Sequence, residues 1–212
     1  MAKSTKTTAR PAKKAMQQRS QDTQKRFIEA VLKLANNGPM HLVTSKNISM
    51  EAGTAWGSAQ YLFGSKEDLM TASIRHASDH FLTLCKKEFL RTSYEKNDLE
   101  SIIPFFWKAA NKSKAILNHK IAISCLHDKA VTELNRDIIL ETMEVTTNLI
   151  HDKITYYYPN ADISHLQDLL FIMETFLTGL HFRRDFTRSD ISKRKLEILT
   201  NLWVQELHST TT

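Results

Sequence analysis

Residues 44–69 read Thr44-Ser45-Lys46-Asn47-Ile48-Ser49-Met50-Glu51-Ala52-Gly53-Thr54-Ala55-Trp56-Gly57-Ser58-Ala59-Gln60-Tyr61-Leu62-Phe63-Gly64-Ser65-Lys66-Glu67-Asp68-Leu69. Two short helical patterns meet in this stretch at a turn centred on Gly53. Thr44 or Ser45 can cap the first, Ile48 and Ala52 recur at i, i+4, and Gly53 ends it. The second covers about 55–62. If Ala59 and Phe63 face a core, then Thr54, Ala55, Trp56, Ser58 and Gln60 face outward. Phe63-Gly64 breaks this helix, and Ser65-Lys66-Glu67-Asp68 is a capping-box pattern opening a long fourth helix to about residue 91. The spacing predicts a helix-turn-helix, a geometry whose second helix enters the major groove of DNA.

Outward from this stretch the chain reads as helix throughout. Upstream, Phe27, Ile28, Val31, Leu32 and Ala35 recur at helical spacing over 21–36, and Gly38-Pro39 stops that helix. Downstream, Ser101 with Pro104 in the first turn begins a helix carrying Phe105, Phe106, Trp107, Ala110 and Ile116. A short helix is expected over 119–129 and a long one over 133–158, ended by Pro159. Ser164-His165-Leu166-Gln167 reads as a second capping box, heading the stripe Leu166, Leu169, Leu170, Met173, Phe176, Leu177 and Leu180. The last helix, over 190–208, carries Ile191, Leu196, Leu199, Leu202, Trp203 and Leu207. The chain holds only five Gly and four Pro in 212 residues, too few to punctuate a sandwich or barrel. The expectation is an all-α protein of about nine helices. Four of the five glycines (Gly38, Gly53, Gly57, Gly64) crowd into residues 38–64, and Gly179 stands apart.

Charge divides the chain in the same way. Residues 1–26 hold eight of the 29 basic side chains (Lys3, Lys6, Arg10, Lys13, Lys14, Arg19, Lys25, Arg26) and one of the 23 acids, Asp22. The remainder holds 21 basic and 22 acidic groups, so the whole +6 excess is N-terminal. A basic arm ahead of a neutral body suits a protein that meets a polyanion with one end. Residues 1–20, rich in Ser, Thr and Gln, are expected to be a flexible arm.

Several chemistries find no support. No run of eighteen apolar residues appears and the N-terminus lacks a signal-peptide pattern, so a cytoplasmic protein without a membrane span is expected. Cys85 and Cys125 sit in apolar helical patterns and read as buried free thiols. His76 and His80 have the i, i+4 spacing of a helical metal pair but no third ligand, so no metal is expected. Phosphate loop, nucleophile elbow and paired-carboxylate motifs are missing, and no enzymatic activity or cofactor is expected.

The segment 23–69 resembles the DNA-binding domain of the TetR family of bacterial one-component regulators. That family's pattern has an apolar first helix, a Gly, an Ile-Ala pair, Ala-Gly, a further Gly, an aromatic pair, then Ser-Lys-Glu and Leu. Here Gly38, Ile48-Ser49, Ala52-Gly53, Gly57, Tyr61 and Phe63, and Ser65-Lys66-Glu67-Asp68-Leu69 carry the match. Ser49 stands where the family has Ala. Gln60 stands where it usually has a phosphate-binding tyrosine, with Tyr61 next to it. The resemblance implies a DNA-binding domain over 21–66 and a ligand-binding and dimerisation domain over 67–212.

Chemistry then assigns roles within the resemblance. Thr44 and Ser45 can offer hydroxyls to a phosphate at a helix N-terminus. Lys46 and Lys66 are the nearest fixed cations, and a cation in the first turn of a helix opposes the dipole and suits an external anion. Gln60 can pair with adenine, and Trp56 can lie against a thymine methyl or the sugar-phosphate edge. Thr54, Ala55, Ser58 and Tyr61 complete the expected DNA face, and Gly57 lets the first turn of the reading helix lie close to DNA.

The resemblance also implies a cavity among the later helices. Phe105, Trp107, Met143, Phe171 and Phe176 are its expected apolar lining, with His127, Glu174 or His181 as polar groups that orient a ligand. The expected function is a homodimeric repressor that binds a palindromic operator, pairs through its last two helices, and is released by a small hydrophobic molecule. An alternative keeps the DNA-binding head but gives the helical body a protein partner.

Overall fold

The computed structural model describes residues 9–187 and 193–209, with side chains over 15–183 and 193–209. Among the described residues there are nine α-helices and no strand. The chain divides into two compact units, Met1–Ser73 and Ile74–Thr212.

In the first unit, α1 (Ala9–Asn37) is followed by a 3-10 turn, Met40–Leu42, then α2 (Ser45–Ala52) and α3 (Trp56–Phe63). The first turns of α4 (Lys66–Phe89) complete it. On α1, Phe27, Ala30, Val31 and Ala35 form one fully buried stripe, and Val43, Ile48, Ala52, Ala59 and Leu69 are buried with them. Phe27 meets Phe63 edge-on at 6.4 Å between ring centroids, tying the first helix to the third. Lys33 pairs with Glu51 to join α1 to α2.

The first helix starts twelve residues before the expected position 21. Residues 9–20 are rich in Ala, Lys, Gln and Arg, all strong helix formers, and Pro11 falls within the first turn, where it is tolerated. Residues 9–20 of the expected arm are therefore helix, and residues 1–8 lie outside the described residues.

The second unit holds the rest of α4, a 3-10 turn Lys96–Ser101, α5 (Ile102–Ser113), a 3-10 turn Ala115–Leu117, α6 (Asn118–Ile123), α7 (Lys129–Tyr157), α8 (Ile163–Thr187) and α9 (Lys193–Ser209). Its core gathers Phe89, Leu99, Ile102, Ile103, Ile154, Leu166, Met173 and Trp203. Lys114, in the left-handed conformation at φ 68°, turns the chain sharply between α5 and the second 3-10 turn.

Several boundaries differ from expectation, among them the end of α5 at Ser113, which leaves Ile116 in the following 3-10 turn instead of on that helix. The short helix ends at Ile123, and Asp128 then caps α7 by accepting from the Val131 N–H at 3.0 Å, so α7 begins four residues early. Asp162 caps α8, accepting from the His165 N–H at 3.1 Å, in place of the Ser164 pattern. Asp128 and Asp162 each satisfy a backbone N–H of the first turn, which places the starts of α7 and α8. The expected start of the last helix at 190 lies outside the described residues.

Candidate nucleic-acid interface and ligand cavity

The turn between α2 and α3 is three residues long, Gly53-Thr54-Ala55. Thr44 caps α2, its hydroxyl oxygen accepting from the Asn47 N–H at 3.2 Å. Gly53 takes the left-handed conformation (φ 62°, ψ 33°), and the Thr54 N–H then closes onto the Ser49 carbonyl at 3.1 Å. A side chain here would strain the backbone, which is the physical need for glycine. Gly64, at φ 91°, serves the exit of α3. Beyond it Ser65 and Asp68 form a reciprocal capping box: the Asp68 N–H donates to Ser65 Oγ at 3.0 Å and the Ser65 N–H to Asp68 Oδ2 at 3.1 Å.

These turns fix which face of α3 is outward. Ala59 is buried, whereas Ala55, Gly57, Gln60 and Tyr61 are exposed, Tyr61 to 87%. Thr54, Trp56 and Ser58 are half-buried, so Trp56 is less open than a wholly outward residue. Thr44 and Lys46 are exposed at the start of α2, while Ser45 and Lys66 are half-buried. Neither Gln60 nor Tyr61 has a side-chain partner within the protein, among the described residues.

The second unit contains a cavity of about 170 Å3. Three helices line it with the same spacing, i, i+3, i+4, i+7: Ile103, Phe106, Trp107 and Ala110 on α5; Ile139, Thr142, Met143 and Thr146 on α7; Gln167, Leu170, Phe171 and Glu174 on α8. Phe81 of α4 adds a fourth wall. The hydroxyls of Thr142 and Thr146 are occupied within α7, donating to the Ile138 and Thr142 carbonyls at 2.7 Å. Asn118 Nδ2 donates to Ser78 Oγ at 2.9 Å.

Among the described residues, two ionisable side chains line the cavity, Glu174 and His119. Burial raises the Glu174 carboxyl above its ordinary value and lowers the His119 imidazole, each shift disfavouring charge.

No family model matches the chain, and no curated protein matches it by sequence. Solved structures do. A putative TetR-family transcriptional regulator from Mesorhizobium loti MAFF303099 superposes with a TM-score of 0.69 at 15% identity, covering 90% of this chain and 97% of that one. The chain has the TetR-family fold. A TetR-family member from Streptomyces coelicolor A3 matches at TM-score 0.54 and 15% identity, covering 87% and 97%. The multidrug binding protein EbrR, complexed with imidazole, matches at 0.57 and 15%, covering 86% and 93%.

Within this TetR-family fold the cavity takes some expected residues and not others. Trp107, Met143, Phe171 and Glu174 line it. Phe105 does not line it; its ring packs edge-on against Phe89 at 5.5 Å. His127 is exposed in the turn before α7, Phe176 is a largely exposed residue of α8, and His181 is buried away from the cavity. Phe106, an aromatic of the kind expected in the lining, completes the i, i+3, i+4, i+7 series from Ile103, and Asn118 and His119 are lining residues without an earlier assignment. His76, Asp79 and His80 are exposed, and among the described residues no three metal-ligating side chains gather. No described helix is long and apolar enough to cross a membrane.

Proposed function

We propose that this chain is a TetR-family transcriptional regulator, a DNA-binding repressor whose operator affinity responds to a small molecule held in the second unit. The observation that carries the reading is the outward face of α3. A left-handed Gly53 turn sets this helix against α1 and α2, and Gln60 and Tyr61 are left exposed with no side-chain partner among the described residues. Base edges in a major groove supply the missing partners. Thr44, Ser45, Lys46 and Lys66 would hold phosphates, and Thr54, Ala55, Trp56, Ser58, Gln60 and Tyr61 would meet bases or the groove wall.

Pairing of two copies is supported by α8 and α9. Ile172 and Phe176 on α8 and Ile198 and Leu202 on α9 are exposed apolar pairs at i, i+4, as expected for helices that complete a four-helix bundle with a second copy. The operator would then be palindromic, its half-sites about 10 bp or a multiple apart. A ligand coupling of about 1 to 3 kcal/mol releases the DNA. Such a regulator works in the cytoplasm.

Gel shift with the DNA upstream of its own gene tests the reading. Specific binding is expected, weakening steeply with salt. If the combined substitutions Trp56→Ala, Gln60→Ala and Lys66→Ala leave that binding unchanged, the assignment of the face is wrong.

A further inference from the structure

Glu174 stands apart from every other carboxylate of the cavity-bearing unit. It lies on α8 in the wall of the cavity, and within the described residues it has neither a hydrogen bond nor an ion pair. Among the described residues no Lys or Arg lines the cavity. The other ionisable lining group, His119, is itself held toward neutrality by burial and supplies no fixed positive charge. Phe81, Phe106, Trp107 and Phe171 line the same cavity. Asn118 adds an Oδ1 atom with no partner within the protein.

A partly buried carboxyl without a partner costs stability relative to a hydrophobic side chain of similar size. Among the described residues no cation or donor reaches it, and no packing role in the fold requires its charge. The same geometry is complete for one class of guest. A positive charge gains both the carboxylate and the negative faces of aromatic rings, and its apolar body fills the rest of the walls. An anion meets the carboxylate as a like charge. A neutral hydrocarbon gains the walls and leaves Glu174 as it was.

We propose that the cavity selects lipophilic organic cations, with Glu174 as the charge-recognising residue and the aromatic walls as the seat of the cation's apolar groups. This rests on the reading of the cavity as a ligand site. A permanent cation needs no proton of its own, so its arrival leaves Glu174 ionised, and a proton held there in the empty cavity departs to solvent.

The test uses the full chain and three probes of similar shape: phenyltrimethylammonium, its uncharged isostere tert-butylbenzene, and the anion benzenesulfonate. Calorimetric titration and thermal shift are run on the native protein and on Glu174→Gln and Glu174→Asp. The ammonium is expected to bind at least about tenfold more tightly than tert-butylbenzene, and benzenesulfonate not to bind. Glu174→Gln should erase the preference while keeping tert-butylbenzene affinity, and Glu174→Asp should restore part of it. Repeated down a pH series, the ammonium preference should fall as the carboxyl takes up its proton in the native protein and stay flat in Glu174→Gln. Equal binding of ammonium and hydrocarbon, or a preference that survives Glu174→Gln, overturns the cation assignment and leaves the ligand cavity standing. Binding of none of the probes overturns both.

Discussion

Trp203 Nε1 donates a 2.7 Å hydrogen bond to the carbonyl oxygen of Leu99, joining residues 104 apart in sequence at the centre of the second unit. The indole is fully buried, and the same carbonyl also accepts from the Ile102 N–H that ends the 3-10 turn. Trp203→Phe therefore removes one of two donors and leaves a void beside a carbonyl that keeps one partner. Denaturant titration should show a loss of about 2 to 3 kcal/mol, most of it from packing.

Gly57 separates a folding role from a recognition role. A Cβ added there would meet no atom within 4 Å, and its φ is not in the left-handed range. Gly57→Ala should leave the melting temperature unchanged or raise it, by up to about 0.5 to 1 kcal/mol of helix propensity. The added methyl would instead stand between the start of α3 and DNA. Operator affinity should fall by roughly tenfold or more; an alanine variant that binds as tightly as the native protein would remove the close approach from the account.

Lys66 occupies the first position of α4, where the helix dipole opposes a positive charge, and Glu67 and Asp68 follow it in the same turn. Its expected role is phosphate contact, which carries no base information. Lys66→Ala should weaken operator and random DNA by the same factor, and the slope of log K against log salt should shrink by about one counterion.

The raised Glu174 carboxyl makes stability depend on pH with a definite sign. A folded-state value above the unfolded one means that the native state holds the proton more strongly. The contribution is fully present below the unfolded carboxyl range and is lost as pH rises through the folded value. Glu174→Gln cannot lose a proton. Its stability relative to the native protein should climb as pH rises out of the ordinary carboxylate range, then level off. A lipophilic cation should flatten the difference.

Cys85 is buried and its thiol is pushed up to about 12, mainly by desolvation, with a weaker opposing contribution from the neighbouring Thr146 side chain. The thiolate is the reactive form. Alkylation by iodoacetamide at about pH 8 should spare Cys85 in the native protein and label it once denaturant is added, as read by peptide mass spectrometry.

Much of the first unit was legible because short-range chemistry decides it. Gly53 is required by a left-handed turn, Ser65 and Asp68 cap each other within one turn, and Ile48, Ala52 and Ala59 are buried where their spacing demands. The extension of α1 to Ala9 was masked by the polar character of residues 9–20, whose helix propensity is high although they have few apolar groups. Competing caps two residues apart, Asp162 and Ser164, differ by energies too small for a pattern to rank. The cavity was half legible for another reason. Three consecutive aromatics, Phe105 to Trp107, span most of a helix turn, and which of them faces a void depends on the neighbouring helices. His127 failed as a candidate because the helix expected to carry it stops at Ile123.

The three tryptophans fall one to each process proposed for the chain: Trp56 half-buried on the reading helix, Trp107 in the cavity wall, Trp203 in the closed core. Each reports from its own surroundings, so the protein carries a built-in optical gauge for every step. Emission from variants that keep a single indole would follow operator capture, guest entry and unfolding as separate signals, with no dye attached.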